Sequence, residues 1–173
     1  MLRLRDMTQS EVHRLCEAFL FKEAELLDSN ETSQWLELLS PDLTYRLPVQ
    51  TSDDAEYTDQ PLLSTGAHLD ETFSSIRMRV QRLATGHAWA EQPHSRTCRL
   101  ITNTRVIERT DTEVIVRSNF MLYRTHRDGS RYDLLCGERR DRLIVETDGL
   151  RLKDRVVLLT PATIPTPNLG IFL

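Results

Sequence analysis

Long apolar runs, glycine-rich loops and paired cysteines are all missing from this sequence, and each absence removes a class of protein. No stretch approaches the roughly 20 apolar residues that a membrane helix needs. Six glycines in 173 residues form no phosphate-cradling loop of the P-loop or dinucleotide type. A G-x-S-x-G elbow, the nucleophile turn of many serine hydrolases, is absent as well. The three cysteines, Cys16, Cys98 and Cys136, lie far apart. With no C-x-x-C pair and an odd count, they read as reduced thiols rather than a disulfide or zinc framework. Charge of one sign is also lacking: 22 Lys and Arg stand against 26 Asp and Glu, a net charge of −4. Even the basic run Arg139, Arg140, Arg142 is interrupted by Asp141. A nucleic-acid footprint needs a one-signed basic face, so nucleic acid is not an expected partner. The opening MLRLRDMTQSE turns charged at once and lacks the apolar core of a signal peptide. A cytoplasmic location without membrane contact is the expectation.

What is present is the composition of an ordinary globular protein, 39% hydrophobic and 28% charged. The length suits one domain, residues 1–173, with an arm at 1–7, a polar loop at 50–66 and a C-terminal tail at 160–173. Thr8 and Glu11 have capping-box spacing. After them Val12, Leu15, Cys16, Phe19, Leu20, Leu26 and Leu27 recur with helical period. Glu17, Lys22, Glu23 and Glu25 fall largely on the other side, and Asp28, Ser29 and Asn30 break the helix. A shorter helix is predicted from Thr32 or Ser33 to Leu39, then a turn at Ser40-Pro41-Asp42. Leu43 to Val49 reads as a strand in which Pro48 is an edge or last paired residue. A third helix is predicted from about Asp70 to Thr85, with Gly86 in the C-cap position.

From Arg96 the period changes to two. Strands are predicted at 96–109, 113–127, 130–147 and 150–159, broken at 110–112, at Asp128-Gly129 and at Asp148-Gly149. Their length implies twist and bulges, with Gly137 a candidate bulge. Three helices cannot cover both faces of so large a sheet. The expected fold is therefore α+β, a cone in which a curved, mainly antiparallel sheet wraps the N-terminal helices around a possible pocket.

The stretch from Leu83 to Val106 joins the helical and strand halves and concentrates residues able to do chemistry. His87, Glu91 and His94 match the residue types of a two-His-one-carboxylate iron site. The helix stop at Gly86 and Pro93, however, turn this trio into a loop constellation, for which polar loop histidines are the plain alternative. Cys98 and Cys136 sit in mid-strand, away from any helix N-terminus that would activate a thiolate, and read as core residues. Cys16, on the apolar stripe, reads as a buried hydrophobe. In a cone, Tyr45, His87, Asn119, Tyr123 and Glu138 are candidates for pocket acid–base work.

Several segments in order carry a family likeness. The early FLFKEAELLDSNETSQWLELLSPDLTYRLPV, the 83–106 stretch, VRSNFMLYRTHR, LLCGERRDRL and the ending PNLGIFL together resemble the small (beta) subunit of Rieske-type aromatic ring-hydroxylating dioxygenases. The resemblance implies a cone fold like that of ketosteroid isomerase and scytalone dehydratase. It implies a non-catalytic structural role in aromatic compound catabolism. The partner alpha subunit would carry the Rieske [2Fe-2S] cluster and the mononuclear iron, and would dihydroxylate an aromatic ring with O2. It further implies a heterohexamer, three alpha subunits on a trimeric beta base, fed with NAD(P)H-derived electrons by a reductase and/or ferredoxin. A Rieske centre needs Cys-x-His pairs; here Ala18, Leu100 and Glu138 stand two positions after the cysteines. No catalytic, cofactor-binding or metal-ligating residue is therefore expected in this chain. Trp89, Arg96 and Arg99 are the expected subunit-interface residues, since Trp and Arg are enriched as interface anchors. Which aromatic substrate the complex takes is not legible here. The alternative is a stand-alone cone-fold isomerase or dehydratase using a pocket His or carboxylate.

Overall fold

The chain begins its fold with a capped helix, and the cap is built from the two residues that the sequence nominates. The computed structural model describes residues 3–49, 66–84, 94–125, 132–161, 164, 166 and 168–173. Helix α1 spans Gln9–Asp28; the Thr8 side chain accepts from the Glu11 amide while the Glu11 carboxylate accepts from the Thr8 amide. Asn30, at φ 59°, ends it in the left-handed conformation that Asn tolerates. The buried face of α1 carries Val12, Cys16, Phe19, Leu20, Leu26 and Leu27, and also Glu23.

Helix α2, Thr32–Leu36, is shorter than its sequence predicts, and strand β1, Leu39–Pro48, already begins at Leu39. The Ser40-Pro41-Asp42 segment is thus no turn between elements. It lies in β1 where the register jumps from Leu39 to Thr44. That irregularity leaves residues 40–43 without ladder partners, so the missing proline N–H costs nothing. Pro48 is the last paired residue of β1, opposite Ala67. Strand β2, Ala67–Thr72, takes residues that the helical reading assigns to a helix start, and α3 follows at Phe73–Ala84. β2 is an edge strand without apolar alternation, which is why periodicity does not reveal it.

Four long strands follow: β3 Arg96–Arg109, β4 Glu113–Thr125, β5 Tyr132–Glu146 and β6 Gly149–Leu159. Their order in the sheet is β2-β1-β6-β5-β4-β3. All neighbours are antiparallel except β1 and β6, which run parallel. Bulges near Asn103 in β3 and at the Arg142–Leu143 position between β5 and β6 bend the sheet. Gly137 is not one of them. Its register is regular, but a Cβ there would lie 2.1 Å from the Leu158 oxygen. Glycine at this position permits close backbone approach. The Asp128-Gly129 turn and the Gly86 cap lie outside the described residues.

Both ends of the described chain join the core. Leu4 is fully buried and its amide reaches the Asp111 oxygen at 3.3 Å. Ile171, Phe172 and Leu173 close the opposite side of the same cluster, against Trp35, Tyr45 and Leu20. Helix α1 packs across β3, and α3 lies against β1.

Candidate functional site

The interior of the cone is the natural place for chemistry, and side chains from four elements meet there. Spacing puts Glu23 of α1 on the apolar stripe, one turn after Phe19 and Leu20. Period-two alternation turns Arg139 and Asp141 of β5, and Arg155 of β6, to the inner face. All four are at most 1% exposed. Arg155 donates to both oxygens of Asp141, at 2.8 and 2.9 Å, and to both oxygens of Glu23, at 2.8 and 2.7 Å. Glu23 also accepts from the Trp35 indole at 3.1 Å and lies 3.5 Å from Arg139. Arg139 rests 4.9 Å over the Phe120 ring. Tyr45 donates its hydroxyl to the Leu173 oxygen and accepts from the Leu173 amide at 2.9 Å.

These contacts set the protonation states. Burial pushes the Glu23 carboxyl up, but the charges of Arg155 and Arg139 and the hydrogen bonds of Arg155 and Trp35 outweigh it. The group is held below the usual carboxylate range. Burial, and then repulsion from Arg155, lowers Arg139 to about 10. Arg155, with two carboxylates, is raised despite its burial. Burial raises Tyr45. Two cations and two carboxylates thus form a neutral, ionised cluster. A carboxylate held ionised by bidentate arginine is a poor proton donor, and a raised tyrosine is a poor base. The cleft beside Leu83, Ser95, Thr97, Arg99 and Phe172 holds about 30 Å³, the space of one water molecule. The arrangement is that of a closed, ion-paired core.

The structure redistributes the sequence candidates. Tyr45 is inside. Asn119, Tyr123 and Glu138 are not; they lie on the outer face of the sheet, where Glu138 is bound by Arg117 and by Arg140 at 2.8 Å. Those two hydrogen bonds outweigh the burial of Glu138 and hold its carboxyl low. His87, Glu91 and Trp89 lie outside the described residues. His94 is exposed. Among the described residues no group of three His, Cys, Asp or Glu side chains is placed to hold a metal ion. Cys16 is buried, and burial raises its thiol to about 12. Cys98, read as a core thiol, is instead exposed on the outer face, and Cys136 is half-buried.

The interface candidates part company in the same way. Arg96 is exposed on the outer face of β3. Arg99, one strand step out of phase, is turned inward; it pairs with Asp28 and donates to the Phe172 oxygen at 2.7 Å. The guanidinium of Arg99 therefore serves the fold of its own chain. Sequence reasoning placed Glu23 in solvent and gave no part to Arg155. The spacing of Glu23 on the α1 stripe was the available signal.

The chain matches the ring-hydroxylating beta subunit family over residues 22–166. It belongs to that family. It is 33% identical over 157 residues to the beta subunit of the N,N-dimethyl phenylurea N-demethylase of Sphingobium sp. (strain YBL2), covering 90% of this chain and 88% of that one. Its fold superposes on a chain of naphthalene 1,2-dioxygenase with indole bound in the active site. The TM-score is 0.83 at 24% identity, covering 96% and 88% of the two chains. The beta subunit of benzoate 1,2-dioxygenase from Burkholderia mallei gives a TM-score of 0.69 at 20% identity, with 92% of each chain covered. A scytalone dehydratase candidate from Novosphingobium aromaticivorans gives 0.67 at 15%, covering 90% and 88%. These likenesses establish the cone-like α+β architecture, with its sheet left unclosed. As a ring-hydroxylating beta subunit, the chain is part of an oxidoreductase complex with an alpha subunit. No helix among its described residues is long and apolar enough to cross a membrane.

Proposed function

We propose that this chain is the non-catalytic, cytoplasmic structural subunit of a terminal oxygenase. Its alpha partner carries a Rieske [2Fe-2S] cluster and a mononuclear iron, and dihydroxylates an aromatic ring with O2. Electrons come from NAD(P)H through a reductase and/or ferredoxin. Three copies of this chain form a trimeric base for three alpha subunits. The observation that carries the reading is a contrast between the two faces of the sheet. The inner face is filled and ion-paired, without a free acid or base. The outer face of β3, β4 and β5 is open and apolar: Leu100, Met121, Tyr123, Tyr132 and Leu134 are 42–61% exposed there. Cys98 joins them, and the register makes the group contiguous. So large an apolar patch is unusual on a monomer and suits a permanent partner. A neighbouring copy of this chain is the occupant proposed. Arg96 borders the patch, and Trp89 belongs to the same contact in this reading.

The test is co-expression with the large subunit encoded beside it, followed by iron analysis, aromatic turnover and mass by light scattering. The expected result is a hexamer whose iron and turnover depend on the large subunit. Ring oxidation or a Rieske spectrum from this chain alone overturns the proposal. Trp89→Ala and Arg96→Ala are expected to weaken assembly without loss of helix content.

A further inference from the structure

Residues 168–173, Asn-Leu-Gly-Ile-Phe-Leu, are held in a way unlike the rest of the chain. They pair with no strand in the described structure. Side chains of the cone instead grip their main-chain oxygens. Arg124 of β4 donates to the Asn168 oxygen at 3.0 Å, and Arg79 of α3 to the Leu169 and Ile171 oxygens at 2.8 and 3.5 Å. Arg99 of β3 takes the Phe172 oxygen at 2.7 Å. Arg155 of β6 takes the Leu173 oxygen at 3.2 Å, alongside the Tyr45 hydroxyl of β1. The Phe172 ring sits 4.4 Å from the Trp35 ring, with the Arg79 guanidinium 4.6 Å from its centre. Recognition through main-chain oxygens and one aromatic anchor is how a protein binds a peptide.

Each gripping cation is also fixed by a partner outside this segment. Arg79 pairs with Glu71 at 2.9 Å, and Arg99 with Asp28. Arg124 has Ser95 at 3.1 Å and Asp133 at 3.6 Å, and Arg155 has Asp141 and Glu23. Departure of the segment therefore strands no unpaired buried charge, which is the usual reason a buried piece cannot leave. The donors are oriented in advance, as in a preformed binding site.

We propose that residues 168–173 are a captive ligand of the cone. The remainder of the chain forms a preformed site for a short apolar peptide with an aromatic anchor, and that site accepts the same segment from a second copy of this chain. Exchange of this kind preserves every contact, so it carries little net cost. The site is independent of the oxygenase assignment, and its test needs no alpha subunit.

The probe is a fluorophore-tagged Asn-Leu-Gly-Ile-Phe-Leu peptide, titrated by anisotropy into the full-length chain and into its Phe172→Ala variant. Loss of the ring weakens the resident segment, so the peptide is expected to bind the variant at least ten-fold more tightly than the wild type. A scrambled peptide is expected to compete poorly. No saturable binding to a folded variant, or equal competition by the scrambled peptide, overturns the proposal. Hydrogen exchange on the wild type decides the matter should the variant fail to fold. The Leu173 amide is expected to exchange at least ten-fold faster than those of Leu122 and Leu143, through release of the segment alone. Exchange in step with β4 and β5 overturns it.

Discussion

Arg155 satisfies two carboxylates and a main-chain oxygen at once, so its loss does more than delete one interaction. Arg155→Leu leaves Glu23 and Asp141 buried with one imperfect cation between them, and is expected to destabilise the chain by about 3–5 kcal/mol in urea unfolding. Glu23 makes the fold acid-sensitive. Its folded pKa lies below the ordinary value of 4.5. Its stabilisation is therefore complete above that value and is lost as pH falls toward the folded pKa. The urea midpoint is expected to drop below about pH 4.5, and Glu23→Gln should flatten that fall while lowering the plateau. The thiols give a simpler readout. Iodoacetamide should modify exposed Cys98 in the native chain and leave Cys16 untouched, because burial keeps Cys16 protonated; peptide mass mapping checks this. None of the four-charge cluster was legible from residue type, since a glutamate on a helix is usually solvated. Its position on the stripe was legible. Its partners, more than a hundred residues away, become visible only once the sheet order is known.

Elements announced by local chemistry were read well, and those set by long-range pairing were not. The Thr8–Glu11 cap, the α1 stripe and the four alternating strands all rest on interactions within a few residues. Thr8→Ala is expected to lower stability by about 1 kcal/mol, as loss of an N-cap does. Strand β2 and the early start of β1 depend on distant partners, and no local signal competes with the polar composition of one or the proline of the other. Gly137 shows the same division. Its presence in a strand was conspicuous, but its reason lies in the neighbouring strand. Gly137→Ala forces the β5 backbone away from Leu158 and is expected to cost about 3 kcal/mol, the upper range for overpacking. A thermal melt of the two variants should rank Gly137→Ala well below Thr8→Ala.

For the molecule as a whole, the fold class followed from counting helices against strands, and its closed interior did not. A cone can enclose a pocket or fill it, and the choice here rests on side chains contributed by α1, β5, β6 and residues 171–173. The outer face extends the assembly reading into a prediction. Tyr132→Asp places a charge in the middle of the apolar patch while touching nothing inside. It is expected to leave the melting temperature of the isolated chain within a few degrees and to shift its mass in light scattering toward the monomer. Assembly should also shield Cys98 from the iodoacetamide that reaches it in the free chain. The parallel pairing of β1 with β6 has a consequence for biosynthesis. Thr44 meets Asp154 across 110 positions of sequence. At ribosomal speeds of roughly 5–20 residues per second, β1 waits about 6–20 s for its neighbour to emerge. Through that interval Trp35, Leu43 and Leu47 have no sheet to cover them, so the nascent N-terminal third is the part of this protein most in need of a chaperone.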